Sequence, residues 1–62
     1  MKELAKKFID QNCVIYSFDG NKTYKGVIKE VTDGAILLLK GDKTEMLNID
    51  FISRIKVVEQ KG

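Results

Sequence analysis

The chain lacks proline and histidine, and it has one cysteine and one arginine among its 62 residues. No apolar run approaches the roughly 20 residues that a membrane-spanning helix needs, so we expect no membrane segment. The single cysteine, Cys13, excludes a disulfide within the chain. Histidine is the usual general base, and clustered metal-ligating side chains are also missing. The sequence therefore predicts a protein that is not an enzyme, with no metal, no other cofactor and no small-molecule substrate.

Composition and charge limit the kinds of protein that this chain can be. Apolar residues make up 44% of the chain, which predicts one globular domain over residues 1–62. The 11 Lys and Arg residues exceed the 9 Asp and Glu residues by only two, so any nucleic-acid binding would need a local basic patch. The first residues mix charged with apolar side chains, unlike a secretory signal, and we expect a cytoplasmic location. A small domain without disulfides or metals is often stabilised by oligomerisation, which favours a homo-oligomer.

The spacing of apolar residues predicts one helix followed by five strands. Near the start, apolar residues recur at helical spacing and predict an amphipathic helix over about residues 2–11, with Asn12 as its end. These apolar residues are Leu4, Ala5, Phe8 and Ile9. After them, runs of β-branched and aromatic residues alternate with turn residues. The predicted strands cover about residues 13–18, 23–31, 35–40, 44–49 and 52–58.

Gly26 lies inside the second predicted strand. A glycine within a strand usually marks a sharp bend or a close backbone approach, and a bent central strand lets a short sheet curl. The sequence therefore predicts a mainly β fold, in which an N-terminal helix precedes a five-stranded, strongly bent antiparallel small barrel. The fourth and fifth strands are its expected edges. Since proline is absent, nothing in the sequence prevents these edges from pairing with another chain.

Three segments follow the pattern of a known family. They are the turn at residues 18–20, the stretch 26–31 followed by 36–38, and the turn and strand at 49–55. In this pattern the chain resembles the Sm-like (LSm) proteins, including bacterial Hfq, and it is also similar to the C-terminal domain of the ribosome maturation factor RimP. The resemblance implies a small Sm-like or SH3-like barrel that binds RNA. It also implies a homo-oligomeric ring in which the fourth strand of one subunit pairs with the fifth strand of the next.

The uridine pocket of the family is not matched. Asp50 and Phe51 stand where Sm proteins have an Arg-Gly pair, and Thr32 and Ile36 stand near the positions of their Asp and Asn. The Tyr-Lys-His of Hfq is likewise replaced, by residues 48–50. A carboxylate at this place repels phosphate. If single-stranded RNA is a partner, other residues must bind it.

Aromatic and basic side chains are the remaining candidates for RNA binding. Tyr16 lies four residues before Gly20, as does a base-stacking tyrosine of Hfq, although a half-buried strand tyrosine is an alternative interpretation. The lysines of the helix and of the second strand form two possible patches, or else an ordinary solvated surface. The sole arginine is the only residue able to give planar bidentate contacts. The candidates are Tyr16, Lys22, Lys25, Lys29, Lys2, Lys6 and Arg54.

A subunit interface is predicted on the last two strands. The fifth strand is apolar at both Val57 and Val58, which is unusual for an exposed edge, although the helix could cover one of its faces. The candidate interface residues are Met46, Leu47, Ile55, Val57 and Val58. An alternative function follows from the same edges. The barrel could serve as a protein-interaction or assembly module that binds no nucleic acid, because a fold does not determine a function.

Overall fold

The computed structural model describes residues 2–58 as one short helix and a single antiparallel sheet of five strands, which confirms the mainly β prediction. Residue 1 and residues 59–62 of the predicted domain lie outside the described residues. Among residues 2–58, no helix is long and apolar enough to span a bilayer. The elements are α1 (Lys2–Lys6), β1 (Asn12–Ser17), β2 (Thr23–Val31), β3 (Ala35–Lys40), β4 (Lys43–Asn48) and β5 (Ile52–Val57).

The strand order is β4-β3-β2-β1-β5, which leaves β4 and β5 as the two edges of the sheet. A single 3₁₀ turn, Ile49–Phe51, connects these two edges. The side chain of Asn48 caps this turn by accepting a hydrogen bond of 3.0 Å from the Asp50 N–H. Within residues 2–58, β4 and β5 are not hydrogen-bonded to each other, so the sheet is not closed into a barrel.

The helix is shorter than the sequence predicts. It ends at Lys6, and the left-handed turn expected at Asn12 occurs at Asp10, whose φ is 70°. Beyond Lys6, the N–H groups of residues 7–9 donate to the carbonyls three residues earlier, and the chain then pairs with β2, where Ile9 forms a parallel bridge with Ile28 and the Asp10 N–H donates to the Ile28 carbonyl. Aspartate is one of the few residues that adopt a positive φ at low cost. A contact with a distant strand therefore sets where this helix ends.

The hydrophobic core lies on one face of the sheet and is covered in part by α1. In β1 the buried residues are Cys13 and Ile15, and in β3 they are Ile36 and Leu38, as the two-residue period of a strand requires. Cys13 is a fully buried core residue, and this burial raises the pKa of its thiol. The buried apolar residues are Ala5, Cys13, Ile15, Ile28, Val31, Ile36, Leu38, Leu47 and Ile52.

Gly26 lies on β2, the strand between β1 and β3, at a point where the backbone of β3 comes very close. It is paired with Cys13 of β1, and a β-carbon at this position would stand 2.6 Å from the Leu39 carbonyl oxygen and 3.0 Å from the Leu38 Cγ. Real β-carbons essentially never approach a backbone oxygen so closely. A short distance along β2, the register with β3 shifts between Ile28 and Glu30. The glycine admits the close approach of β3, and the bulge shifts the register between β2 and β3.

Candidate nucleic-acid interface

The outward positions of β1, β2 and β5 bring four side chains to one surface. We call it the basic face and define it by Tyr16, Lys25, Arg54 and Lys56. Tyr16 lies opposite Arg54 of β5, while Val14 lies opposite both Lys25 of β2 and Lys56 of β5. Directly opposite residues in antiparallel strands project from the same face, here the one turned away from the core. The sheet register therefore assembles this surface from three separate parts of the chain.

Tyr16 and Arg54 are in direct contact. The guanidinium carbon of Arg54 lies 4.4 Å from the centroid of the Tyr16 ring, which is a cation–π arrangement. Tyr16 is half-buried and Arg54 is exposed. The contact thus presents a planar cation and an aromatic ring together on the surface. Both are groups on which an unpaired nucleobase stacks.

The charge of the basic face is not neutralised within the described part of the chain. Among residues 2–58, no carboxylate lies within salt-bridge distance of Lys25, Arg54 or Lys56. Neither β1 nor β5 contains an acidic residue. Since neighbouring strands are about 5 Å apart, Lys25 and Lys56 stand roughly 10 Å from each other across β1. The face can therefore attract an anion that has several charges along its length.

Two of the predicted RNA-binding lysines are instead engaged in ion pairs. The Lys2 ammonium donates to Asp33 at 2.7 Å, and the Lys29 ammonium donates to Asp10 at 2.8 Å. The hydrogen bond from Lys2, followed by its charge, holds the pKa of the Asp33 carboxyl below its usual value. The charge of Lys6 adds a smaller lowering of the same pKa. These lysines help to hold α1 and the turn after it against the sheet.

An exposed apolar cluster lies beside the end of β1. A cavity of about 580 Å³ separates the turn between β1 and β2 from β4. Three of its lining side chains are large, apolar and mostly exposed: Phe18 at 76%, Met46 at 71% and Phe51 at 68%. We call this place the aromatic notch and define it by Phe18, Met46 and Phe51. Tyr24 and Leu47 also line it, and the predicted RNA-binding residue Lys22 stands here rather than on the basic face.

The turn that carries Lys22 is well ordered by hydrogen bonds. Oδ1 of Asp19 accepts bonds from the Asn21 N–H at 3.0 Å and from the Ser17 hydroxyl at 2.7 Å. The bond from Asn21, followed by that from Ser17, lowers the pKa of the Asp19 carboxyl. Ser17 Oγ in turn accepts a bond of 3.1 Å from the Lys22 N–H. The lysine at the edge of the notch is thus held on a defined turn.

Residues 2–58 match the family model described as "Domain of unknown function (DUF6897)". The chain belongs to this family. No curated protein and no solved structure matches it. The matched residues of the DUF6897 chain run from α1 through β5, so they include both the basic face and the aromatic notch.

In this DUF6897 protein, the residues predicted from the sequence to bind RNA do not all lie on one surface. It brings Tyr16, Lys25 and Arg54 together, and it leaves the other predicted lysines elsewhere. Lys56, Phe18 and Phe51 were missed by the sequence reasoning. A two-residue period from Arg54 could have pointed to Lys56. Among residues 2–58, no group of three or more His, Cys, Asp or Glu side chains is placed to hold a metal ion.

The predicted interface residues also differ in their surroundings. Leu47 is buried in the core, and Ile55 and Val57 pack partly against the same core. Met46 is largely exposed on β4, and Val58 follows β5 with 37% of its surface exposed. Any association through these strands would therefore use their backbone edges with Met46 and Val58, because the other three side chains already pack within the chain.

Proposed function

We propose that this protein binds single-stranded RNA without catalysis, through the basic face. The observation that carries the proposal is the stack of Arg54 on Tyr16 beside two further cations that have no carboxylate partner among residues 2–58. Stacking of a base on an exposed aromatic or guanidinium group contributes about 1–3 kcal/mol per base. The cations add a phosphate attraction that does not depend on sequence.

The proposal extends to the type of fold. The strand order and the close approach of β3 to Gly26 support an Sm-like barrel whose gap lies between β4 and β5. RNA binding by such a domain fits the expected cytoplasmic location, which remains part of the proposal. The basic face lies on β1, β2 and β5, so the proposed RNA site does not depend on the family's unmatched uridine pocket.

Substitutions on the basic face test RNA binding. We expect Tyr16→Ala to raise the Kd for a fluorescein-labelled 12-mer of uridine about 5-fold or more, as loss of one stacked base requires. Arg54→Lys keeps the charge but loses the planar surface, so it should weaken binding as well. Fluorescence anisotropy in 50 mM salt measures both effects. With three cations at the face, the slope of log Kobs against log salt should be about −2.

Lys43→Ala is the matched control for charge, because Lys43 is an exposed lysine of β4 outside both the basic face and the aromatic notch. It should leave the Kd nearly unchanged. Wild-type protein that fails to bind the 12-mer in 50 mM salt would contradict the proposal. So would equal affinities for the wild type, Tyr16→Ala and Arg54→Lys.

Self-association is the second candidate, and the charges of the two sheet edges favour it. β4 holds one lysine and one glutamate and is flanked by Asp42 and Asp50, whereas β5 holds Arg54, Lys56 and no acidic residue. Since carboxylates lie on and beside β4 and β5 is positive, we propose that β4 of one copy pairs with β5 of the next to form a closed homo-oligomer. A module that assembles in this way without binding RNA is the alternative function.

Light scattering behind a sizing column tests this assembly. We expect a mass of several chains for the wild type and a smaller mass for Glu45→Lys, because the new lysine meets the cations of β5. Glu3→Lys, on the exposed side of α1, is the matched control and should keep the wild-type mass. A monomer at every concentration would contradict self-association. A multimer that neither carries nucleic acid nor binds the 12-mer would favour the assembly module.

A further inference from the structure

A shallow groove adjoins the basic face at the place where β3 ends. Its volume is about 270 Å³, and we call it the side groove. Its lining residues come from β1, β2, β3 and the turn after β3: Asn12, Lys25, Gly26, Val27, Leu39, Lys40 and Gly41. Lys25 belongs to both the side groove and the basic face, so the two surfaces share a cation.

The sheet register makes the side groove a continuation of the basic face. The first five residues of β1 pair with β2 without a register shift. Asn12, Val14 and Tyr16 alternate with buried residues, so they share the outward face of β1. Lys25 is opposite Val14, and Val27 is opposite Asn12. Lys25 therefore stands midway between Tyr16 and the side groove.

The side groove combines an apolar lining with a polar amide. Val27 and Leu39 are directly opposite each other on β2 and β3, and both are half-buried. Within residues 2–58, the side-chain amide of Asn12 makes no hydrogen bond, so it can pair with the edge of a base. Apolar walls with a few polar groups are typical of ligand sites.

The lining of the side groove includes two cations and no carboxylate. In the described part of the chain, neither Lys25 nor Lys40 has a carboxylate within salt-bridge distance. The acidic residue nearest to Lys40 in sequence, Asp42, lies in the turn before β4 and does not line the groove. A polyanion on the basic face therefore meets a further cation when it crosses β2 toward β3.

We propose that the side groove holds a further nucleotide of the RNA strand whose first base stacks on Tyr16 and Arg54. Lys25 contacts the backbone between the two nucleotides, the Asn12 amide pairs with the edge of the second base, and Lys40 contacts its phosphate. Tyr16 and Asn12 are about 13 Å apart along β1, whereas stacked bases are about 3.4 Å apart, so the strand is unstacked where it crosses the face.

This inference rests on the proposed RNA-binding function. The shared cation and the absence of a lining carboxylate favour RNA over a protein segment as the occupant of the side groove. The ligand class is a single strand with several consecutive unpaired nucleotides.

Lys40→Ala measures the contribution of the side groove to affinity. Lys43→Ala is the matched control, because Lys43 is directly opposite Lys40 in the ladder between β3 and β4 but does not line the groove. We expect only Lys40→Ala to raise the Kd for the uridine 12-mer, by about 3-fold, as loss of one exposed ion pair requires. Lys40 should also steepen the salt slope beyond that of the basic face by about 0.7, and Lys40→Ala should remove this increment.

Asn12→Asp tests the contact with the second nucleotide, and Gln11→Glu is its control. Both changes replace an amide with a carboxylate of nearly the same shape, but Gln11 does not line the side groove. Since a carboxylate repels phosphate and cannot donate to a base, Asn12→Asp should raise the Kd about 5-fold or more. Gln11→Glu should change it by less than about 2-fold. Circular dichroism shows whether both variants are folded.

NMR spectra of the ¹⁵N-labelled wild type locate the bound strand without any substitution. We expect the uridine 12-mer to shift the amide signals of Tyr16, Lys25 and Arg54 on the basic face, together with those of Leu39 and Gly41 at the side groove. The amide signals of the aromatic notch should stay unchanged.

The outcomes separate this proposal from the proposed function. If the shifts are confined to the basic face and both Lys40→Ala and Asn12→Asp bind like the wild type, the side-groove proposal is wrong and the basic face stands. If the wild type neither binds the 12-mer nor shows any shift, the proposed function itself has failed. Should the two variants lower the mass measured by light scattering and leave RNA affinity unchanged, a second copy of the chain covers the groove, which would also overturn the proposal.

Discussion

We expect Gly26→Ala to lower the free energy of unfolding substantially, by about 1–3 kcal/mol or more. The added β-carbon would stand 2.6 Å from the carbonyl oxygen of Leu39, an atom held in the ladder between β2 and β3. A backbone oxygen cannot rotate away as a side chain does, so the two strands must separate. Overpacking of this kind costs about 1–3 kcal/mol or more. Domains of this size have only about 3–5 kcal/mol of stability from a single core.

Urea unfolding followed by circular dichroism measures this effect, and Gly34→Ala is its matched control. A β-carbon at Gly34 would have no atom of the chain within 4 Å, and this glycine does not have a positive φ. We expect Gly34→Ala to change the free energy of unfolding by less than about 1 kcal/mol, in the stabilising direction if it changes at all. Equal midpoints for the two alanine variants would show that Gly26 is not a close-approach site.

Leu38→Ala is expected to lower the free energy of unfolding by about 2–5 kcal/mol. Leu38 is fully buried in β3 and belongs to the central cluster of the core. Its removal takes away apolar burial and leaves a cavity that the neighbouring strands can fill only in part. In so small a domain this loss is comparable with the whole stability.

Leu37→Ala provides the comparison for Leu38→Ala, since it removes the same atoms from the adjacent, half-buried position on the opposite face. Leu37→Ala should lower the free energy of unfolding by about 1 kcal/mol less than Leu38→Ala does, or by a still smaller amount, in the same urea experiment. Similar costs for the two leucines would contradict the assignment of the core to one face.

Combining Leu38→Ala with Gly26→Ala tests which atom makes the glycine necessary. The Leu38 Cγ is the second-nearest atom, at 3.0 Å, behind the Leu39 oxygen. Removing the leucine side chain therefore leaves the closer contact in place. We expect the double variant to be no more stable than either single variant, and a recovery of stability would identify the side chain as the true obstacle.

The strands could be predicted from local signals. Turn residues such as Asp33 and Gly34 separate the strands, and runs of β-branched and apolar residues form the strands between them. The bounds of each strand therefore lie within one residue of the predicted bounds. The end of the helix could not be predicted in this way. The apolar spacing through Ile9 is also helical, but the bridge between Ile9 and Ile28 outweighs a helix of marginal stability.

The sequence could indicate single residues of the candidate site, but not which of them lie together. Tyr16 was predicted from its position before Gly20 and Arg54 from its residue type, whereas their contact depends on the register between β1 and β5. Lys2 and Lys29 looked like members of a basic surface, but their ion-pair partners lie 31 and 19 residues away in sequence. No local pattern reveals such partners.

The sequence by itself determined a mainly β domain, because turn chemistry and the two-residue period act between near neighbours. It also supplied the side-chain types that an RNA-binding surface requires. Only the tertiary structure decided which cations stay free and which aromatic rings lie together. Those relations arise between strands that are distant in the chain, and pairing of the strands sets them through the register of the whole sheet.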